Sequence, residues 1–212
     1  MDEQSTPQVE HDLDEQPTPQ AEEGLDDEKP RGSVASWLVE WGVVIALAFG
    51  FAWLFNTFVA SYFIVPTGSM LETIQLNDRL VGEKVSYHFR EPAQGDIVTF
   101  LDPRDNTTLL CKRVIATGGQ VLDLRDGTVY VDGQPLDEPY TAGKPSEPLA
   151  DYASNLAGPI SYPYTIPEGM VWVMGDNRTN SKDSRYFGPV SRESIVARGM
   201  FVYWPLSNIK LL

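Results

Sequence analysis

From Trp41 to Val65 the chain reads "WGVVIALAFGFAWLFNTFVASYFIV", twenty-five residues without a charge. A bilayer-spanning helix needs about 20 such residues, so the run predicts a transmembrane helix, placed over 34–64. A cleaved secretory signal would have a shorter apolar region ending in a small-residue site. A buried core helix would need a larger protein around its apolar faces than the rest of the chain supplies. Trp37, Trp41 and Tyr62 stand near the ends, where interfacial aromatics belong.

What flanks the run sets orientation and compartment. Lys29 and Arg31 precede it and the first basic residue after it is Arg79, so the positive-inside rule puts the N-terminus in the cytoplasm and the domain after the span outside, in a plasma membrane crossed once. Residues 1–33 hold eleven acidic and two basic side chains of a chain whose net charge is -14. They contain a repeat, "DEQSTPQVEHDL" followed by "DEQPTPQAEEGL", identical at eight of twelve positions. Few aromatic or branched apolar residues and much Pro, Gln and Glu predict a disordered acidic tail. His11 falls in the first copy where the second has Glu23, so the repeat makes no demand for an imidazole. An acidic chain of this kind is a poor nucleic-acid binder, since phosphates select basic surfaces.

Residues 65–212 read as strands separated by turns. Runs rich in Val, Ile, Tyr and Phe recur in "DRLVGEKVSY", "GDIVTFL", "LLCKRVIA", "GMVWVMGD" and "VARGMFVYWPL". In "LRDGTVYVDGQPL" two Asp-Gly pairs flank "TVYV" and predict hairpin turns. The stretch 138–165, rich in Pro, Ala, Ser and Gly, reads as a long surface excursion. The fold expected is mainly β: an N-terminal membrane helix followed by an antiparallel sheet domain.

Chemistry enters at "FIVPTGSM", where Ser69 stands just past the apolar run. A serine hydroxyl is a weak nucleophile until a base takes its proton. The chain has two histidines, and His11 lies across the membrane from Ser69 under this topology, leaving His88 with nothing else to suggest a triad. With one cysteine, Cys111, neither a disulfide nor the usual zinc ligand set is available, and no metal or cofactor is expected. Lysine remains, as Lys84 or Lys112. Lys112 has Leu110 and Val114 two residues to either side, so a strand could bury it, and burial lowers an amine's pKa toward the neutral, proton-accepting form. From "CKRV" alone, a strand lysine snorkelling to water is the simpler account.

A further segment, "GDNRTNSKDSRYFGPV", is dense in Asp, Asn, Arg and Ser between two strands. In order, "PTGSM", "GDIVTF", "CKRVIA" and "GDNRTNSKDSRYFG" after an N-terminal span resemble the bacterial type I signal peptidases, over about Phe63 to Pro205. That resemblance implies a sheet domain of signal-peptidase type and a serine endopeptidase with a Ser/Lys dyad. Ser69 would be the nucleophile and Lys112 its base, with the Thr67 hydroxyl and the Ser69 N–H as oxyanion donors. Ser181 would hydrogen-bond the Lys112 amine, and Asp176, Asp183, Arg113 and Arg185 would be supporting charges. Phe63, Val65, Pro66 and Cys111 would wall shallow pockets for Ala-like side chains. The implied task is removal of signal peptides from exported preproteins after Ala-X-Ala, with the bilayer and the translocation machinery as further partners. A dedicated pilin- or conjugation-type processing peptidase with the same dyad, and an inactive membrane-anchored binding protein, are the alternatives. Glu72 stands where the family usually has proline, and "ATGGQ" replaces its frequent "GLPGD".

Overall fold

The computed structural model describes residues 34–149 and 159–212. The acidic repeat and the middle of the excursion lie outside them. The chain divides into two units, 1–44 and 45–212.

Helix α1 spans Val34–Phe58, carries no buried side chain, and is long and apolar enough to cross a membrane. It ends six residues short of the expectation, because Ala60–Ile64 is a strand, β1. Val59 N still donates to Phe55 O at 2.8 Å, closing the last turn. Beyond it, Tyr, Phe and Ile side chains suit a pleated strand, and β1 pairs antiparallel with β2 (Arg79–Glu83), Ala60 opposite Glu83. Hydropathy alone does not separate an apolar strand from a continuing helix.

The chain then runs through β3 (Ile97–Leu101), β4 (Leu109–Thr117), β5 (Val121–Arg125), β6 (Thr128–Val131), β7 (Gln134–Pro135), β8 (Tyr164–Thr165) and β9 (Met170–Met174). A one-turn helix α2 (Ser184–Phe187) follows, then β10 (Val190–Ser191), β11 (Ile195–Trp204) and β12 (Lys210–Leu211). Among the described residues, eight strands form one sheet in the order β1-β2-β11-β3-β4-β9-β10, with β12 on β11, and four form a second, β7-β6-β5-β8. Every pairing is antiparallel. The mainly β architecture is as the strand runs predict.

Both Asp-Gly turns form as read. Asp126 and Gly127 have φ of 50° and 75°, Asp132 and Gly133 of 52° and 79°, the paired positive φ that a two-residue hairpin turn needs to match strand twist.

Three apolar clusters fill the domain. Ile115, Leu122, Val129, Ile166 and Trp172 join β4 and β9 to the smaller sheet. Val98, Phe100, Val114, Val173 and Phe187 pack a second cluster. The third, Val65, Met70, Ile74, Leu80 and Ile97, holds the loop that leaves β1. Met70 and Ile74 are fully buried within it, pegs on either side of a short stretch in which Glu72 is exposed and Leu71 and Thr73 half-buried.

Candidate active site

Ser69 sits in the loop between β1 and β2, one residue before the Met70 peg. The loop is closed by Val65 N to Asp78 O at 3.0 Å, Asn77 N to Val65 O at 2.8 Å and Ile74 N to Met70 O at 2.8 Å. Asn177, in the loop after β9, grips it from the far end of the sequence: its backbone N–H donates to Ser69 O at 3.1 Å and its side-chain amide to Gly68 O at 2.8 Å. The carbonyls on either side of the Ser69 Cα are thereby held by one residue.

Lys112 comes from β4, in register with Val98 of β3. Its Nζ lies 2.6 Å from Ser69 Oγ and donates to Cys111 O at 3.0 Å. Lys112 is 3% exposed and Ser69 9%. Burial pushes the Lys112 pKa down from its ordinary value, because a charged ammonium loses hydration that the interior does not replace. The Cys111 thiol is itself pushed up to about 11 by burial, so near neutral pH it carries no anion to hold a proton on the amine. Asp176 and Asp183 oppose the shift, but each is tied to a guanidinium. Arg113 Nε and Nη2 meet the two Asp176 oxygens at 2.9 and 2.7 Å, and Arg185 Nε and Nη2 meet those of Asp183 at 2.9 Å each.

These ion pairs also brace the loop after β9. Asp183 caps α2 and accepts from Gly175 N at 3.0 Å, while Asp176 accepts from the Thr73 hydroxyl. Gly175 admits no side chain: a Cβ there would collide with Ser69 O and with the Ser181 hydroxyl.

Thr67 Oγ1 stands 3.5 Å from Ser69 Oγ, on the same turn of chain. Phe63, Val65, Pro66 and Cys111 come together with Thr67 and Lys112 around one groove of about 130 Å³. Ser181 differs from the expectation. Its Oγ is buried and has no hydrogen-bond partner among the described residues; it lies against Gly175, while the Lys112 amine meets Ser69 Oγ and Cys111 O. Asn177 and Arg178 were legible as part of "GDNR", without a role. Their partners on Gly68, Ser69 and Glu138 are far off in the sequence, and no local spacing points to them.

The chain matches the signal peptidase family, peptidase S26, over residues 38–204. It is 39% identical over 172 residues to a probable signal peptidase I-1 of Synechocystis sp. PCC 6803, covering 78% of this chain and 82% of that one. It is 36% identical over 176 residues to a signal peptidase I of Leptolyngbya laminosa, covering 79% and 78%. Among solved structures it is similar to a signal peptidase I of Enterococcus faecalis V583, at 34% identity and a TM-score of 0.41, over 51% of this chain and 97% of that one.

Proposed function

The chain belongs to the signal peptidase family, serine endopeptidases of type S26, and from that premise we infer that it removes signal peptides from exported preproteins with Ser69 as nucleophile and Lys112 as general base. The observation that carries this reading is the 2.6 Å approach of a buried amine to the serine oxygen. A neutral amine reverses that hydrogen bond and accepts the hydroxyl proton as Oγ attacks the scissile carbonyl. The negative oxygen so formed would be met by the Thr67 hydroxyl and the Ser69 N–H, donors placed where charge develops. When the C–N bond breaks, the Lys112 ammonium returns its proton to the leaving amine and an ester on Ser69 remains. Water, deprotonated by the again neutral Lys112, attacks that ester and releases the signal peptide, the proton passing back to Oγ.

The groove walled by Phe63, Val65, Pro66 and Cys111 is small and apolar-sided, which suits Ala-sized side chains ahead of the cut. Helix α1 would anchor the enzyme in the plasma membrane with its N-terminus cytoplasmic and the sheet domain outside. Ser69 follows the helix end by eleven residues, so the reactive oxygen is tethered near the surface where a signal peptide emerges.

The test is cleavage of a synthetic peptide with an Ala-X-Ala junction, in detergent or lipid, by the wild type, Ser69→Ala and Lys112→Ala. Product from the wild type alone is expected. An active Lys112→Ala protein would remove the dyad, and a folded wild type that cuts nothing would favour a narrower processing substrate or a binding role.

A further inference from the structure

The segment from Glu138 to Ser146 takes no part in the dyad, yet its side chains close around two arginines, Arg113 of β4 and Arg178 of the loop after β9. Glu138 accepts both Nη groups of Arg178, one at 2.8 Å. Arg178 also donates to the Ser146 hydroxyl and, through Nε, to Gly175 O at 3.0 Å, and its side chain is fully buried. Tyr140 donates to Glu138 at 2.9 Å, and Thr141 Oγ1 donates to Glu138 O at 2.9 Å. The Tyr140 ring lies 4.0 Å from the Arg113 guanidinium and 5.8 Å from that of Arg178. Each arginine adjoins a residue that touches the nucleophile's loop. Asn177, beside Arg178, holds the carbonyls of Gly68 and Ser69. Asp176, the partner of Arg113, holds Thr73.

We propose that Glu138 and Tyr140 are positioning residues for peptide-bond cleavage, which register Ser69 against Lys112 through Arg178–Asn177 and Arg113–Asp176. The physical reason lies in the buried charge. A guanidinium without its carboxylate is strongly unfavourable inside a protein, so loss of Glu138 drives Arg178 toward water and pulls on the adjoining Asn177. A displacement of about 1 Å at the reacting atoms costs on the order of a hundredfold in rate, far more than it costs in binding. A strut that only stabilised the fold would leave the chemistry of the folded enzyme untouched.

The inference rests on the peptidase reading above, and the experiment separates the two. The full chain in detergent is assayed with the Ala-X-Ala peptide as wild type, Glu138→Gln and Glu138→Asp, well below each protein's unfolding midpoint. Glu138→Gln is expected to lower kcat about tenfold or more with KM within about twofold. Its rising limb in the pH profile of kcat/KM should move to higher pH, since a loosened Ser69 loop lets water reach Lys112. Glu138→Asp keeps the charge but withdraws it by one methylene, and should fall between. Hydrogen exchange at Gly68–Met70 should quicken in both. Wild-type kcat, pH limb and exchange in folded Glu138→Gln overturn the proposal, and the same result in Glu138→Asp does so if Glu138→Gln fails to fold. If the wild type cuts nothing, the peptidase reading falls. In that case quickened exchange at Gly68–Met70 still supports the coupling, and unchanged exchange overturns it.

Discussion

Lys112 meets two opposed demands. In the proposed dyad, burial beside Ser69 suits it to act as a base, and the same burial penalises the fold whenever the amine is protonated. Its folded pKa is depressed, so between that value and the unfolded value of 10.5 the unfolded chain holds the extra proton. Stability therefore rises with pH through this window, and the full penalty is present below it. Each unit of depression is worth about 1.4 kcal/mol. Lys112→Met, which removes the charge but keeps the volume, is predicted to abolish cleavage and to erase this rise, as denaturant midpoints of both proteins from neutral to alkaline pH would show. Lys112→Arg should also be inactive, because arginine does not deprotonate. Wild-type kcat/KM should climb with pH to a plateau reached below 10.5, and a climb centred near 10.5 would mean that the amine is hydrated. Gly175→Ala, through its collision with Ser69 O, should cost activity even where the protein still folds. At this scale "PTGSM" offered Ser69 as a nucleophile, but "CKRV" alone read more simply as a lysine reaching water, and only the resemblance carried by "GDNRTNSKDSRYFG" paired the two. The sequence was not readable at Ser181, whose hydroxyl lies on the Gly175 side, a matter of side-chain direction within a loop.

Among the elements, strands punctuated by turn residues were legible and the helix boundary was not. The Asp-Gly pairs mark both ends of β6 because a two-residue turn demands positive φ that Asp and Gly tolerate. Gly133 has open space where a Cβ would go, so its φ of 79° alone sets the cost of a side chain. Gly133→Ala is predicted to destabilise by about 1–2 kcal/mol with kcat unchanged, readable in a denaturant titration beside a peptide assay. A loss of activity without a loss of stability would contradict that separation. The break between α1 and β1 leaves no clear mark in hydropathy, since Ala60–Ile64 is itself uncharged and mostly apolar. What ends the helix is a partner, β2, met only in three dimensions. The segment after β7 was hidden for the same reason: Glu138 and Arg178 are forty residues apart, and a Pro-rich, Gly-rich stretch looks like solvent-facing loop until its arginines are found.

For the whole molecule, the question is what α1 contributes beyond attachment. If it spans the bilayer, enzyme and signal peptide share a thin layer, and their encounter behaves as a reaction at raised effective concentration. The chemistry proposed at Ser69 needs none of this. The two contributions separate in a shortened chain beginning at Trp53, which retains the last helical turn, where Lys84 Nζ donates to Thr57 O at 3.1 Å and Lys84 N to Val59 O at 2.9 Å. That chain is predicted to cut the short Ala-X-Ala peptide in detergent with kcat close to that of the full protein. Against a preprotein held in phospholipid vesicles its rate should fall by about two orders of magnitude, while the full chain in the same vesicles does not. Equal losses on both substrates would mean that α1 shapes the catalytic loop rather than tethering it. The detergent arm guards against mistaking an unfolded truncation for a lost tether, because a protein that turns over the soluble peptide normally has Ser69 and Lys112 in register.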